Sequence, residues 1–136
     1  MSWVTDRQTT IYSRVKAILT SKLKKKYSGF NVTEDNAPPK DAQFPTVYIT
    51  FLGTSELGRT LDGTTINAVN MTVEVHVKTT KAQGMLVNND VSWEVVEAFK
   101  TMGFGATMPN IPTSNYDGVY ETVSRFSRIV AEGDAI

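Results

Sequence analysis

From Asn67 to Thr79 apolar and polar side chains alternate without a break: Val69, Met71, Val73, Val75 and Val77 against Asn70, Thr72, Glu74, His76 and Lys78. Successive side chains of a strand point to opposite faces, so this run predicts a long strand with one face in a core and the other in water. Such a strand is not stable alone. It needs strand neighbours on its edges and an apolar layer over its valine face.

Those neighbours can be found along the chain. Pro45 opens a run in which Val47, Ile49 and Phe51 alternate with Thr46, Tyr48 and Thr50, which predicts a second strand over Thr46–Leu52. Between the two, Glu56 to Thr65 holds Gly58 and the Asp62-Gly63 pair, a turn signature that predicts a protruding hairpin. A last strand is expected from Val119 to Ala131, where Tyr120, Phe126 and Val130 break a one-faced pattern.

The apolar layer comes from two helices. Ile11, Val15, Ile18, Leu19 and Leu23 recur at helical spacing between Thr5 and Tyr27, with a Thr5/Gln8 capping box at the start and Gly29 as a left-handed end. Val87, Val91, Val95, Phe99 and Met102 predict a second helix over Lys81–Met102, weakened in its first turns by Gly84 and ended by Gly103 and Gly105. Pro38, Pro39 and Asn36 make Asn31–Phe44 a surface loop. Pro109, Pro112 and Asn115 make the segment before Tyr116 a loop or an edge strand. The fold class expected is α+β: a mixed, antiparallel-rich sheet of about four strands against two main helices, in one domain spanning residues 1–136.

Composition narrows the function. The chain lacks cysteine, which removes disulfides, thiolate metal sites and thiol redox chemistry. Its 14 basic and 14 acidic side chains cancel, so no large positive field draws it to nucleic acid, and protein partners are expected. No apolar run approaches the ~20 residues of a membrane span, and the chain reads as soluble and unexported. Lys22, Lys24, Lys25 and Lys26 sit where the first helix ends, a position that the helix dipole itself favours for positive charge.

No set of residues nominates an enzyme. His76 is the only histidine and is expected on the wet face in cross-strand pairing; alone it cannot make a metal site. The glycines complete neither a Walker loop nor a dinucleotide fingerprint. Glu94 and Glu97 fit the solvent side of the second helix. Catalytic, cofactor-binding and metal-binding residues are therefore expected to be none. Arg125 and Arg128, three apart in the last strand, must project to opposite faces, to pair with Glu121 or Glu132 or with another subunit. Phe104, Met108, Tyr116 and Tyr120 are side chains typical of interface cores as well as of ordinary cores.

The order helix, proline-led strand, hairpin, long alternating strand, helix, loop, strand resembles the tail terminator and tail completion proteins of long-tailed bacteriophages. The residues carrying the resemblance are Ile11 to Leu23, "FPTVYITF" from Phe44, "NMTVEVHVKT" from Asn70 and "YETVSRFSRIVAEGD" from Tyr120. The resemblance implies a non-enzymatic virion protein at the head-proximal end of the tail, assembled in the host cytoplasm. As a hexameric ring it would cap the tail tube, stop its polymerisation and meet the head-tail connector.

From position in this layout, the expected subunit-interface residues are Leu57, Arg59 and Leu61 in the hairpin and Arg125 in the last strand. The loops Asp35–Ala42 and Pro109–Asp117 would be ordered by tube or connector subunits. Two readings stand beside it: a head-tail joining (neck) protein of the same virion, and a small cellular domain that binds a protein or ligand on the sheet.

Overall fold

The computed structural model describes residues 2–34, 44–59, 66–112 and 119–136. The elements run α1 (Ser2–Leu23), β1 (Asn31–Thr33), β2 (Thr46–Phe51), β3 (Ser55–Arg59), β4 (Ile66–Thr80), α2 (Gly84–Thr101), β5 (Gly105–Pro112) and β6 (Val119–Ala131). The sheet follows the order β1-β2-β4-β6-β5, with β3 pairing β4. Every pairing is antiparallel except β1 with β2, which is parallel.

The long alternating strand is the centre of this sheet. Val69, Met71, Val73, Val75 and Val77 are all at or near zero exposure. They meet Val47 and Ile49 of β2, Phe126 and Val130 of β6, and both helices in one core cluster. From α1 the cluster takes Val4, Ile11, Val15, Leu19 and Leu23; from α2 it takes Val91, Val95, Val96, Ala98, Phe99 and Met102. Both helices thus cover one face of the sheet, and no described element packs on the other.

Tertiary contacts move several boundaries. α1 starts before Thr5, because burying Val4 and partly burying Trp3 adds a turn to its apolar stripe. Thr5 is therefore inside the helix, where its carbonyl accepts a bond from Thr9 Oγ1 at 3.0 Å. The reciprocal threonine–glutamine cap forms before α2 instead. Gln83 N–H reaches Thr80 Oγ1 at 3.2 Å, and Gln83 Oε1 accepts from Thr80 N–H at 3.1 Å.

Asn31–Thr33, expected in a loop, pairs with β2, and the segment after Gly105 becomes the edge strand β5. The sheet accordingly has six strands rather than about four. Of the predicted loops, Asp35–Ala42 and the part of Pro109–Asp117 beyond Pro112 lie outside the described residues, as does the Asp62-Gly63 turn.

α2 ends as its sequence predicts. Gly103 takes φ 82°, Phe104 N–H bonds Phe99 C=O at 3.1 Å, and Gly103 N–H bonds Lys100 C=O at 3.0 Å. Phe104 then turns back edge-on to Phe99, with ring centroids 5.4 Å apart, which is the hydrophobic contact of a Schellman end.

Gly29 has a different role from the one expected. It is not left-handed; a Cβ there would sit 2.5 Å from the Phe44 carbonyl oxygen, so glycine is required by close backbone approach. Gly29→Ala should destabilise the fold by about 1–3 kcal/mol, the usual range for overpacking, read as a lower urea midpoint with an unchanged slope.

Candidate functional site

The face of the sheet away from the helices carries Thr46, Tyr48 and Thr50 from β2, Thr72, Glu74, His76 and Lys78 from β4, and Glu121, Val123, Arg125, Ser127 and Ile129 from β6. The register explains their pairing: Glu74 lies opposite Arg125, Lys78 opposite Glu121, and His76 between Tyr48 and Val123. Side chains directly across an antiparallel ladder touch, and here the alternation of sign makes a chain of ion pairs.

Arg125 Nε donates to Glu74 Oε2 at 2.7 Å, and Glu74 Oε1 lies 2.6 Å from His76 Nε2. His76 Nδ1 is 3.5 Å and Lys78 Nζ 3.6 Å from Glu121 Oε2. The His76 ring also tilts against Tyr48, with centroids 5.4 Å apart.

His76 is on the predicted face, yet its side chain is only 20 % exposed because its neighbours wall it in. Arg125 pairs with Glu74 rather than with the expected Glu121 or Glu132. Burial pushes the Glu74 carboxyl up, but hydrogen bonds from His76 and Arg125 outweigh it and hold the group below the usual glutamate range. Among the described residues no group of three or more His, Asp or Glu is arranged to hold a metal ion. The carboxylates beside His76 are also taken up by Arg125 and Lys78.

Arg128 projects to the helix side, as the odd spacing requires. It donates to the Met102 carbonyl at 2.8 Å, placing a cation at the C-terminal end of α2, and lies 3.5 Å from Asp134. This is an internal role in place of the pairing expected for it. The lysine cluster after α1 is also partly consumed. Lys26 Nζ and Tyr27 Oη donate to Asp90 at 2.8 and 2.7 Å, Lys22 lies 3.5 Å from Glu94, and Lys24 donates to the Phe30 carbonyl. Glu94 thus faces α1, while Glu97 stays exposed.

These contacts set an acid response. Hydrogen bonds from Lys26 and Tyr27 hold the Asp90 carboxyl below its ordinary value, and Glu74 is also depressed. A carboxylate with a lowered folded pKa stabilises the fold above its unfolded value and loses that contribution as pH falls through the folded one. Stability should therefore drop below about pH 4, the ordinary carboxylate range. Asp90→Asn and Glu74→Gln should each flatten that limb in urea titrations run from pH 2 to 6.

The expected interface residues fall into two groups. Leu57 and Arg59 belong to β3, with side chains outside the described set, and Leu61 lies outside the described residues. Arg125 is half-exposed on the open face. Of the four side chains typical of interface or ordinary cores, Phe104 is core and Tyr120 is part-buried; Tyr116 and the Met108 side chain are outside the described set.

One feature was not anticipated. β3 pairs with β4 only from Ile66 to Asn70, and β6 beyond Ser127 has no β5 partner. At this root of the hairpin Ile129 stands 61 % exposed, on the same face as Arg125 and opposite Asn70.

The architecture defines an α+β domain: a mixed sheet, two helices on one face and a strand arm at one end. No protein-family model matches the chain, and no curated protein matches it.

Proposed function

We propose that this chain is a structural subunit of a phage virion. It forms a hexameric ring that caps the tail tube, ends tail polymerisation and makes the tail side of the head-tail joint. The partners are further copies of the chain, the tube protein and the connector proteins, and no catalytic step is involved.

The observation that carries this reading is the arm root. Among the described residues, the outer edge of β3 and, beyond Ser127, the β5-side edge of β6 have no strand neighbour, and Ile129 is exposed between them. Open edges invite pairing with another chain. An arm that meets a different surface on the next copy makes a heterologous contact, which closes into a ring when the rotation fits. The order α1, β2, β3, β4, α2, β6 follows the layout on which the resemblance rests, with β1 and β5 added to it.

The test is solution mass by light scattering after size exclusion. The wild type is expected near six chains. Arg59→Asp and Leu61→Asp are each expected to reduce it toward one chain without changing far-UV circular dichroism. A six-chain mass that survives both changes would remove the arm from the interface.

A further inference from the structure

The chain is neutral as a whole, but its charges are segregated. Residues 2–26, which are α1 and the turn that prolongs it, hold seven of the 14 basic side chains and one of the 14 acidic ones, Asp6. That segment therefore carries +6 and the rest of the chain −6. Lys24 N–H bonds the Thr20 carbonyl at 3.1 Å and Tyr27 N–H the Leu23 carbonyl at 2.8 Å, so the helical path continues through the lysines.

Because Ile11, Val15, Leu19 and Leu23 turn inward, Arg14, Lys16, Lys24 and Lys25 stand on the exposed face. Lys22 and Lys26 are paired with Glu94 and Asp90 of α2, whereas those four have no carboxylate partner among the described residues. Arg14 and Lys25, eleven residues or about three turns apart, lie on one flank of the face, and Lys16 lies on the other. Between the flanks run Ser13, Ala17 and Thr20, all exposed, ending at Lys24. From Thr9 to Lys26 every exposed residue is a cation, a hydroxyl or an alanine.

We propose that this face of α1 binds the phosphate backbone of a DNA duplex without reading its sequence. A protein interface centres on apolar and aromatic anchors, single strands are held by aromatic stacking, and insertion into a lipid interface needs an apolar face. The exposed face of α1 has none of these. It offers uncompensated cations and small hydroxyl side chains on a rigid rod, the groups that position a protein on phosphates. The −6 carried by the rest of the chain turns a polyanion toward α1. The face uses neither β3 nor β6, so the contact does not depend on the ring.

The test is fluorescence anisotropy of a labelled mixed-sequence DNA duplex, titrated with the full chain between about 50 and 200 mM salt. Four neutralised phosphates predict a log–log salt slope of about −3.6, equal for unrelated sequences. Arg14→Gln combined with Lys25→Gln is expected to weaken binding at low salt by about tenfold and to bring the slope to about −1.8. Lys100→Gln, which removes an exposed cation of α2, should change neither value. Solution mass and far-UV circular dichroism should stay those of the wild type in all three cases, since the side chains are exposed.

No anisotropy change at the lowest salt, or an equal loss with Lys100→Gln, would overturn the proposal. Displacement of the duplex by polyglutamate of equal charge as readily as by unlabelled duplex would assign the face to an acidic protein instead. Binding to phosphatidylserine vesicles but not to the duplex would assign it to a membrane surface.

Discussion

Replacing Asn88 with alanine is expected to destabilise the fold by about 3–5 kcal/mol, more than most single substitutions, because it strands several buried polar groups at once. Asn88 is a fully buried side chain of α2. Its Nδ2 lies 3.0 Å from the Val77 carbonyl, 3.2 Å from the Tyr120 carbonyl and 3.3 Å from Thr79 Oγ1. Its Oδ1 accepts from Thr122 Oγ1 at 2.8 Å and from Ser92 Oγ at 3.2 Å. One amide thus ties the helix to the two central strands.

Alanine fills none of these positions and leaves carbonyls and hydroxyls in a place that water reaches poorly. Urea denaturation with an unchanged slope measures the loss. Ser92→Ala should cost only about 1 kcal/mol, because Thr122 still bonds Asn88. A loss for Asn88→Ala no larger than that of Ser92→Ala would show that the network contributes little.

The second large effect is expected at Phe99. Its ring stacks on Phe126 at 4.5 Å between centroids and 7° between planes, meets Phe104 edge-on, and is fully buried. Phe99→Ala should cost about 4 kcal/mol, from lost burial and the cavity left behind. Phe104 would also lose the contact that closes the end of α2. Phe99→Leu keeps most of the volume and should cost less than about 1.5 kcal/mol, which separates cavity formation from loss of the aromatic stack.

The elements that were legible in the sequence are those whose local period agrees with their tertiary surroundings. β6 runs from Val119 to Ala131 as read, and β4 extends the predicted run by one residue at each end. β1 escaped notice because three residues with one apolar side chain, Val32, carry no period; its parallel pairing with β2 makes it a strand. Pro109 and Pro112 left the segment of β5 open between a loop and an edge strand; it is the edge strand, which tolerates proline since one side of its ladder is unpaired.

Buried polar residues misled most. Thr122 and Ser124 lie on the same side of β6 as Phe126 and Val130, so the strand showed no clean one-faced pattern; Asn88 and Ser92 of α2 are the partners that let Thr122 be buried there. The spacing of Asn88 and Ser92, one turn apart beside Val91 and Val95, was the available signal. In the candidate site, the opposite faces of Arg125 and Arg128 followed from parity alone. The Glu74 partner followed from register, which no single strand's sequence specifies.

The central claim is that copies of this chain close into a ring through the hairpin arm. Electron microscopy of the purified chain, with class averages scored for rotational symmetry, tests it most directly. The account predicts closed rings with six-fold symmetry that disappear with Leu61→Asp. Particles of a single chain at every concentration, with the tube protein present as well as absent, would contradict it.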